Sequence, residues 1–267
     1  MKIDGKVFVV TGGGNGIGRE LVLLLLNKGA RVAAVDISEE ALRGTVELAG
    51  SQKDRLSTHV VNITDRAAVE ALPAAVIAAH KSVDGLINCA GIIQRFVKFK
   101  DLTYSDIEKV MNVNFYGMMY MTKTFLPYLM ARPEAHIANV SSMGGFLPVP
   151  GQMLYGASKA AVKLFTEALY SEFAGTNLHV TVIFPGAIGT NIAANSGVNL
   201  SVGADAGKGM KMTAPLVAAQ VIVDGIERNK FRVLIGSDAK MMDLLYRLMP
   251  QRATKIINSQ MGSLLKD

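Results

Sequence analysis

The sequence predicts an α/β protein built on one doubly wound parallel sheet of about seven strands, with helices on both faces. Three observations carry that expectation. A strand-like apolar run, Val7 to Val10, passes through a glycine-rich turn into a helical pattern. A second apolar strand, RVAAVD, ends in a carboxylate at Asp36. Beyond it, strand and helix patterns keep alternating, which implies right-handed crossovers and parallel pairing. The expected organisation is one domain over residues 1–237 and an amphipathic extension over 238–267.

The first turn has five glycines in the seven positions 12–18, interrupted by Asn15 and Ile17. Gly12 suits a positive φ, Gly16 lets backbone approach a pyrophosphate, and Gly18 lets the following helix sit close to the strand. Free N–H groups at that helix start then face an anion. Asp36 follows Gly18 by 18 residues, close to the spacing at which an acid binds ribose hydroxyls. It would repel a 2′-phosphate, and no Arg or Lys lies in the turn or directly after Asp36. The expected cofactor is therefore NAD(H) rather than NADP(H). Asp36 could alternatively serve only to cap the next helix.

That helix opens with Ser38, Glu39 and Glu40, a cap and two acids that suit its N-terminus. Residues 56–62 make a third strand, Thr64 and Asp65 open a helix to about His80, and Gly85 to Asn88 make a fourth strand. Thr103 to Asp106 resembles a capping box that starts a helical region reaching about Met130, with room for a break. Its centre, VMNVNFYGMMYMTKTFLPYLM, is apolar nearly all round and must be covered on two sides, by the sheet and by either a second subunit or the chain's own loops.

His136 to Val140 is the fifth strand and runs into Ser141 and Ser142; a helix over 153–173 then carries Tyr155 and Lys159. His179 to Phe184 is the sixth strand, closed by Pro185 and Gly186. The long segment 187–212 has the place of a lid. A helix over 214–229 and a strand over 231–236 complete the domain. In the extension, Met241, Leu244, Leu245 and Leu248 form an apolar stripe opposite Lys240, Asp243 and Arg247. Three fates are open to it: covering a pocket or subunit interface, lying on a membrane surface, or remaining mobile.

Composition excludes several classes. Lys and Arg exceed Asp and Glu by 28 to 22, for a formal charge of +6, without a basic stripe interleaved with aromatics, so nucleic acid is not an expected partner. Cys89 is the only cysteine, which rules out an intrachain disulfide and suits a reducing, cytoplasmic setting. Four scattered histidines offer no metal-ligand spacing.

The chemistry concentrates around Tyr155. Lys159 lies four positions on and shares its helix face. A free tyrosine titrates near pH ~10. An ammonium ~4 Å away, at an effective dielectric of ~20, is worth about 4 kcal/mol, enough in principle to bring the phenol towards working pH. Ser142, 13 residues earlier, ends a strand, as do Asn88 and Pro185, at the sheet edge where such folds bind ligands.

Together, TGGGNGIG, Asn88-Cys89-Ala90-Gly91, Asn114, Ser142, Tyr155-X3-Lys159 and Pro185-Gly186-X3-Thr190 resemble the signature set of the short-chain dehydrogenase/reductase family, in family order over about residues 3–236. The resemblance implies a Rossmann-type sheet and a homodimer or homotetramer. It implies that Tyr155 exchanges the proton, that Lys159 lowers its pKa and holds the nicotinamide ribose, that Ser142 binds the substrate oxygen, and that Asn114 holds a relay water. Gly12, Asn15, Gly16, Ile17, Gly18, Asp36, Asn62, Ile63, Asn88, Ala90, Gly91, Pro185, Gly186, Ile188 and Thr190 would hold the cofactor with Tyr155 and Lys159. Asn62 replaces the family's usual Asp, so an adenine contact there would lack a charge.

The expected substrate is a hydrophobic secondary alcohol or ketone, of lipid, steroid or acyl type. Met143 and Ile192 contribute apolar wall, while Gln94 and Gln152 offer polar contacts beside Ser142 and Tyr155. Two other readings stand beside it: a catalytically silent NAD-binding regulator, and an NAD-using dehydratase or epimerase.

Overall fold

The computed structural model describes residues 1–198 and 212–262. Its elements are β1 (Val7–Thr11), α1 (Gly16–Asn27), β2 (Arg31–Asp36), α2 (Glu39–Ala49), β3 (Leu56–Val60), α3 (Arg66–His80), β4 (Gly85–Asn88) and α4 (Tyr104–Met111). A π turn, Asn112–Gly117, follows. Then come α5 (Met118–Met130), β5 (Ala135–Val140), α6 (Met153–Glu172), β6 (Leu178–Pro185), α7 (Ile192–Asn195), α8 (Pro215–Glu227), β7 (Arg232–Ile235), α9 (Ser237–Leu248) and α10 (Pro250–Met261).

The strands form one sheet in the order β3-β2-β1-β4-β5-β6-β7, every pair parallel. The winding reverses between β1 and β4, so a crevice opens at the carboxyl ends of these strands. Strand pleating divides the core. Phe8, Val10, Val32 and Ala34 pack with Leu21, Leu25 and Ile222 of α1 and α8 on one face. Val9, Ala33 and Val35 pack with Leu72, Phe125 and Leu129 of α3 and α5 on the other. The register leaves no room for a side chain at residue 85, where a Cβ would lie 2.3 Å from the Phe8 ring, so glycine is required there.

The helical region after Thr103 runs without a break from Tyr104 to Met130, with the π turn inside it. Thr103 closes the expected capping box with Asp106. Asp65 caps α3 by accepting from Ala67 and Ala68, and Ser38 caps α2 by accepting from Ala41. Half of the expected lid, residues 199–211, lies outside the described residues. Its ends are pinned: Gly189 N–H donates to the Thr213 carbonyl at 3.0 Å, and Thr213 N–H to the Ala187 carbonyl at 2.9 Å.

The extension is helical over its described residues. It makes two helices, and their buried residues Ala239, Met242, Ala253 and Ile257 form a third apolar cluster with Met143 and Leu147. Of the stripe read from the sequence, Met241, Leu244 and Leu248 are exposed, while Leu245 packs on that cluster. Asp243 turns inward despite its charge, because Arg232 of β7 meets its carboxylate at 3.1 Å and Arg247 binds its other oxygen. No described helix is long and apolar enough to cross a membrane.

Candidate active site

The glycine turn is shaped by close backbone approaches. Gly12 has φ +72°, and a Cβ there would lie 3.0 Å from Ala90 Cα. At Gly18 a Cβ would fall 2.0 Å from the Gly12 carbonyl oxygen, so only glycine lets α1 start against β1. Thr11 Oγ1 accepts from the N–H groups of Cys89 and Ala90 at 3.0 and 3.1 Å, joining the loops after β1 and β4. Asp36 braces the turn from β2: one carboxylate oxygen accepts from Gly14 N–H and the other from Ser38 N–H, both at 3.0 Å.

Asn15 precedes α1 without a side-chain cap, which leaves the first N–H groups of the helix available to an anion. These groups border a cleft of about 580 Å³. Gly12, Asn15, Gly16, Ile17, Gly18, Asp36, Asn62, Ile63, Ala90, Gly91, Pro185, Gly186, Ile188 and Thr190 all line it, together with Ser142, Tyr155, Lys159 and Ile192. A glycine cradle, an open helix N-terminus and a carboxylate one strand away suit a dinucleotide. Asn62 Oδ1 already accepts from Thr64 N–H at 3.0 Å and from Thr64 Oγ1 at 2.8 Å, so both of its lone pairs are engaged within its own loop.

The reactive end is assembled from β5, α6 and the loop after β4. Ser141 Oγ donates to the Lys159 carbonyl at 2.7 Å and fixes α6 to the end of β5. Lys159 Nζ donates to the Val140 carbonyl at 2.9 Å and lies 5.9 Å from the Tyr155 ring centre. It reaches that position because residue 91 is glycine, where a Cβ would lie 3.1 Å from Nζ. The π turn carries Asn114 inward. Its Oδ1 accepts from Ile92 N–H at 2.8 Å, and its Nδ2 donates to the Ile92 carbonyl and to Ser158 Oγ, both at 2.9 Å. That side chain holds the loop after β4 against α6.

Burial governs the titration of this cluster. It lowers the Lys159 ammonium to about 8, since the charged form loses hydration. It also pushes the Tyr155 phenol above its ordinary value, with the Ser142 side chain pulling the other way. Desolvation is the larger of these two effects on Tyr155. Cys89, beside them, is pushed up to about 12 by burial and is a neutral thiol.

Four expected contact residues turn away from the cleft. Asn88 is buried between strands, its Nδ2 donating to Thr122 Oγ1 at 3.0 Å and Asn139 Oδ1 at 2.8 Å. Met143 belongs to the third apolar cluster. Gln94 Oε1 accepts from the N–H groups of Leu154 and Tyr155 at 2.8 and 3.0 Å, its Nε2 donates to the Gly151 carbonyl, and it thereby caps α6. Gln152 Nε2 returns a bond to the Gln94 carbonyl at 2.9 Å. Both glutamines satisfy backbone rather than facing the cleft.

Sequence reasoning missed Lys109, Val113, Asn195 and Ser196, which also line the cleft. Lys109 and Val113 are one helical turn apart, a spacing that would have paired them. Ser196 Oγ accepts from Ile93 N–H at 3.0 Å, a contact between segments 103 positions apart that no local pattern announces.

Residues 6–201 match the family model for short chain dehydrogenases. The chain is 36% identical over 263 residues to SadH of Mycobacterium tuberculosis, which carries the name of an oxidoreductase, covering 95% of this chain and 94% of that one. A short-chain dehydrogenase/reductase from Burkholderia phymatum, solved with NAD, superposes with TM-score 0.81 at 25% identity, over 93% of this chain and 96% of its own. The closed form of a serine dehydrogenase with NADP+ superposes with TM-score 0.75 at 27% identity, over 86% and 93%. The chain is an oxidoreductase of the short-chain dehydrogenase/reductase family.

Proposed function

We propose that this protein is an NAD(H)-dependent oxidoreductase that interconverts a hydrophobic secondary alcohol and its ketone. The convergence of Ser142, Tyr155 and Lys159 at one end of a cleft whose other end holds Asp36 carries the reading. When bound, the nicotinamide dinucleotide accepts or supplies the hydride. Ser142 Oγ orients the substrate oxygen, and the Tyr155 hydroxyl gives that oxygen a proton in reduction or takes one in oxidation. Lys159 holds positive charge beside the phenol and the ribose site. Asn114 keeps the loop at Gly91 and Ile92 seated next to Lys159.

Asp36 supports NAD over NADP. Its carboxylate faces the cleft, and the cations on the described lining are Lys109 and Lys159, neither of which bonds it. A 2′-phosphate there would meet like charge. Ile92, Ile188 and Ile192 give the substrate end an apolar wall. The exposed Tyr116, Tyr128 and Leu164, on the π turn, α5 and α6, support self-association through that face.

The test is absorbance at 340 nm with NAD+ and NADP+ in parallel, across secondary alcohols graded in length and polarity, with Tyr155→Phe beside the native chain. NADH formation that rises with apolarity and disappears in the variant supports the proposal. Dinucleotide binding without turnover would favour the silent regulator.

A further inference from the structure

The exposed face of the C-terminal extension combines two properties that belong together at a lipid surface. Met241, Leu244 and Leu248 recur along one side of α9 at 61%, 58% and 69% exposure, and Met249 continues the stripe beyond the helix. A side chain of that size left bare is ordinary singly; a contiguous row marks a contact surface. The helix does not need this face for its own packing, since Ala239, Met242 and Asp243 anchor it from the opposite side.

The charges around the row have one sign. Lys240 and Arg247 flank it on the same exposed arc, and Arg252 lies at its end, with a guanidinium nitrogen 3.4 Å from Met249 Sδ. Lys255 is exposed on α10. The two acids of the described extension are both occupied inward. Asp238 accepts from Ala187 N–H at 2.7 Å, and Asp243, buried, lies between Arg232 and Arg247. Arg232 also faces Glu167 at 3.9 Å, and Lys163 meets that carboxylate at 2.7 Å, so the connected cluster holds three cations to two carboxylates.

We propose that this face is a docking surface for an anionic membrane: α9 lies in the headgroup plane with Met241, Leu244, Leu248 and Met249 inserted and Lys240, Arg247 and Arg252 on the lipid phosphates. An apolar row edged by cations is the composition that interfacial helices use. A second copy of the chain fits less well. A two-fold contact over this row would bring each basic edge near its own copy, with the acids that could compensate already engaged. The helix rests on the surface rather than spanning it, because no described helix meets the length and apolarity of a span.

Co-sedimentation of the full chain tests this, using vesicles of phosphatidylcholine alone and vesicles in which a third is phosphatidylglycerol, at low and high salt. Binding to the anionic vesicles that weakens with salt is expected. Lys240→Glu combined with Arg252→Glu should reduce it on the order of tenfold or more. Leu244→Asp combined with Leu248→Asp should reduce it on the order of tenfold as well. All four positions are exposed, so far-UV circular dichroism should stay native, and sedimentation equilibrium should give an unchanged mass. Failure of the native chain to bind anionic vesicles, or equal binding to both lipid compositions, overturns the proposal. A fall in oligomer mass in the leucine variants without any vesicle binding would assign the face to a second copy instead.

Discussion

Gln94 Oε1 accepts from the backbone N–H of Tyr155 at 3.0 Å, and from that of Leu154 at 2.8 Å, so a side chain after β4 caps the helix that carries the reactive phenol. Gln94→Leu keeps the volume and removes this cap together with the bond to the Gly151 carbonyl. Stability should fall by about 1–2 kcal/mol, read from urea unfolding. Turnover should drop roughly tenfold while dinucleotide affinity holds, because the shift of Tyr155 acts on the transition state. Gln94→Glu, which keeps an acceptor at a helix N-terminus, should lose less of both. Unchanged kcat in the leucine variant would remove Gln94 from any positioning role.

Tyr155→Phe should lower kcat/KM by about 10²–10⁴-fold without unfolding the chain. Because burial holds the phenol above its ordinary value, it stays protonated at neutral pH and is poised to donate in ketone reduction. Reduction should be flat below pH 8 and decline above it as Lys159, lowered to about 8, loses its charge. Ser142 pulls the phenol downward, so Ser142→Ala should move the rising limb of alcohol oxidation to higher pH. A limb that stays in place in that variant would separate Ser142 from the proton step.

Asp36→Asn retains an acceptor for Gly14 N–H and removes the charge. The ratio of kcat/KM for NAD over NADP should then fall by roughly 10–100-fold, the scale of one charge-assisted hydrogen bond weakened and one repulsion relieved. A ratio that does not move would mean that the dinucleotide choice is made elsewhere in the cleft.

His136 gives the fold a dependence on acid. Its ring is buried beside Thr181, with Nε2 2.8 Å from Thr181 Oγ1, and burial lowers its pKa to about 3. Below pH ~6.5 the unfolded chain takes up a proton here that the native chain refuses. Stability is therefore lost as pH falls from that point towards the native value, at up to about 1.4 kcal/mol per pH unit from this group. His136→Gln should flatten the dependence of the urea midpoint between those limits; an unchanged slope would assign it to other groups.

Much of the fold was legible because its signals are local. The turn from β1 to α1 needs glycine where backbone meets backbone, and Asp36 ends an apolar strand that reads as one from five neighbouring residues. Tyr155 and Lys159 share a face by helical period alone. The roles of Gln94 and Gln152 were not legible, since a polar side chain near a site can serve substrate or backbone. That choice depends on which N–H groups the fold leaves open at the start of α6.

The α9 stripe gives the sharpest contrast. By hydropathy, Met241, Leu244, Leu245 and Leu248 make one face, with Lys240, Asp243 and Arg247 opposite. The structure leaves Met241, Leu244 and Leu248 bare, packs Leu245 on the third cluster and buries Asp243, whose carboxylate Arg232, on a different element, meets at 3.1 Å. The sequence by itself determined the alternation of strand and helix, the parallel sheet, the cleft at its carboxyl edge and the residues that meet there, because backbone conformation and side-chain period are properties of short segments. Only the tertiary structure decided which face of α9 is bare, what the two glutamines bind, and that burial pushes the Tyr155 phenol up. Those outcomes rest on desolvation and on hydrogen bonds between distant segments, which arise only when the chain is folded.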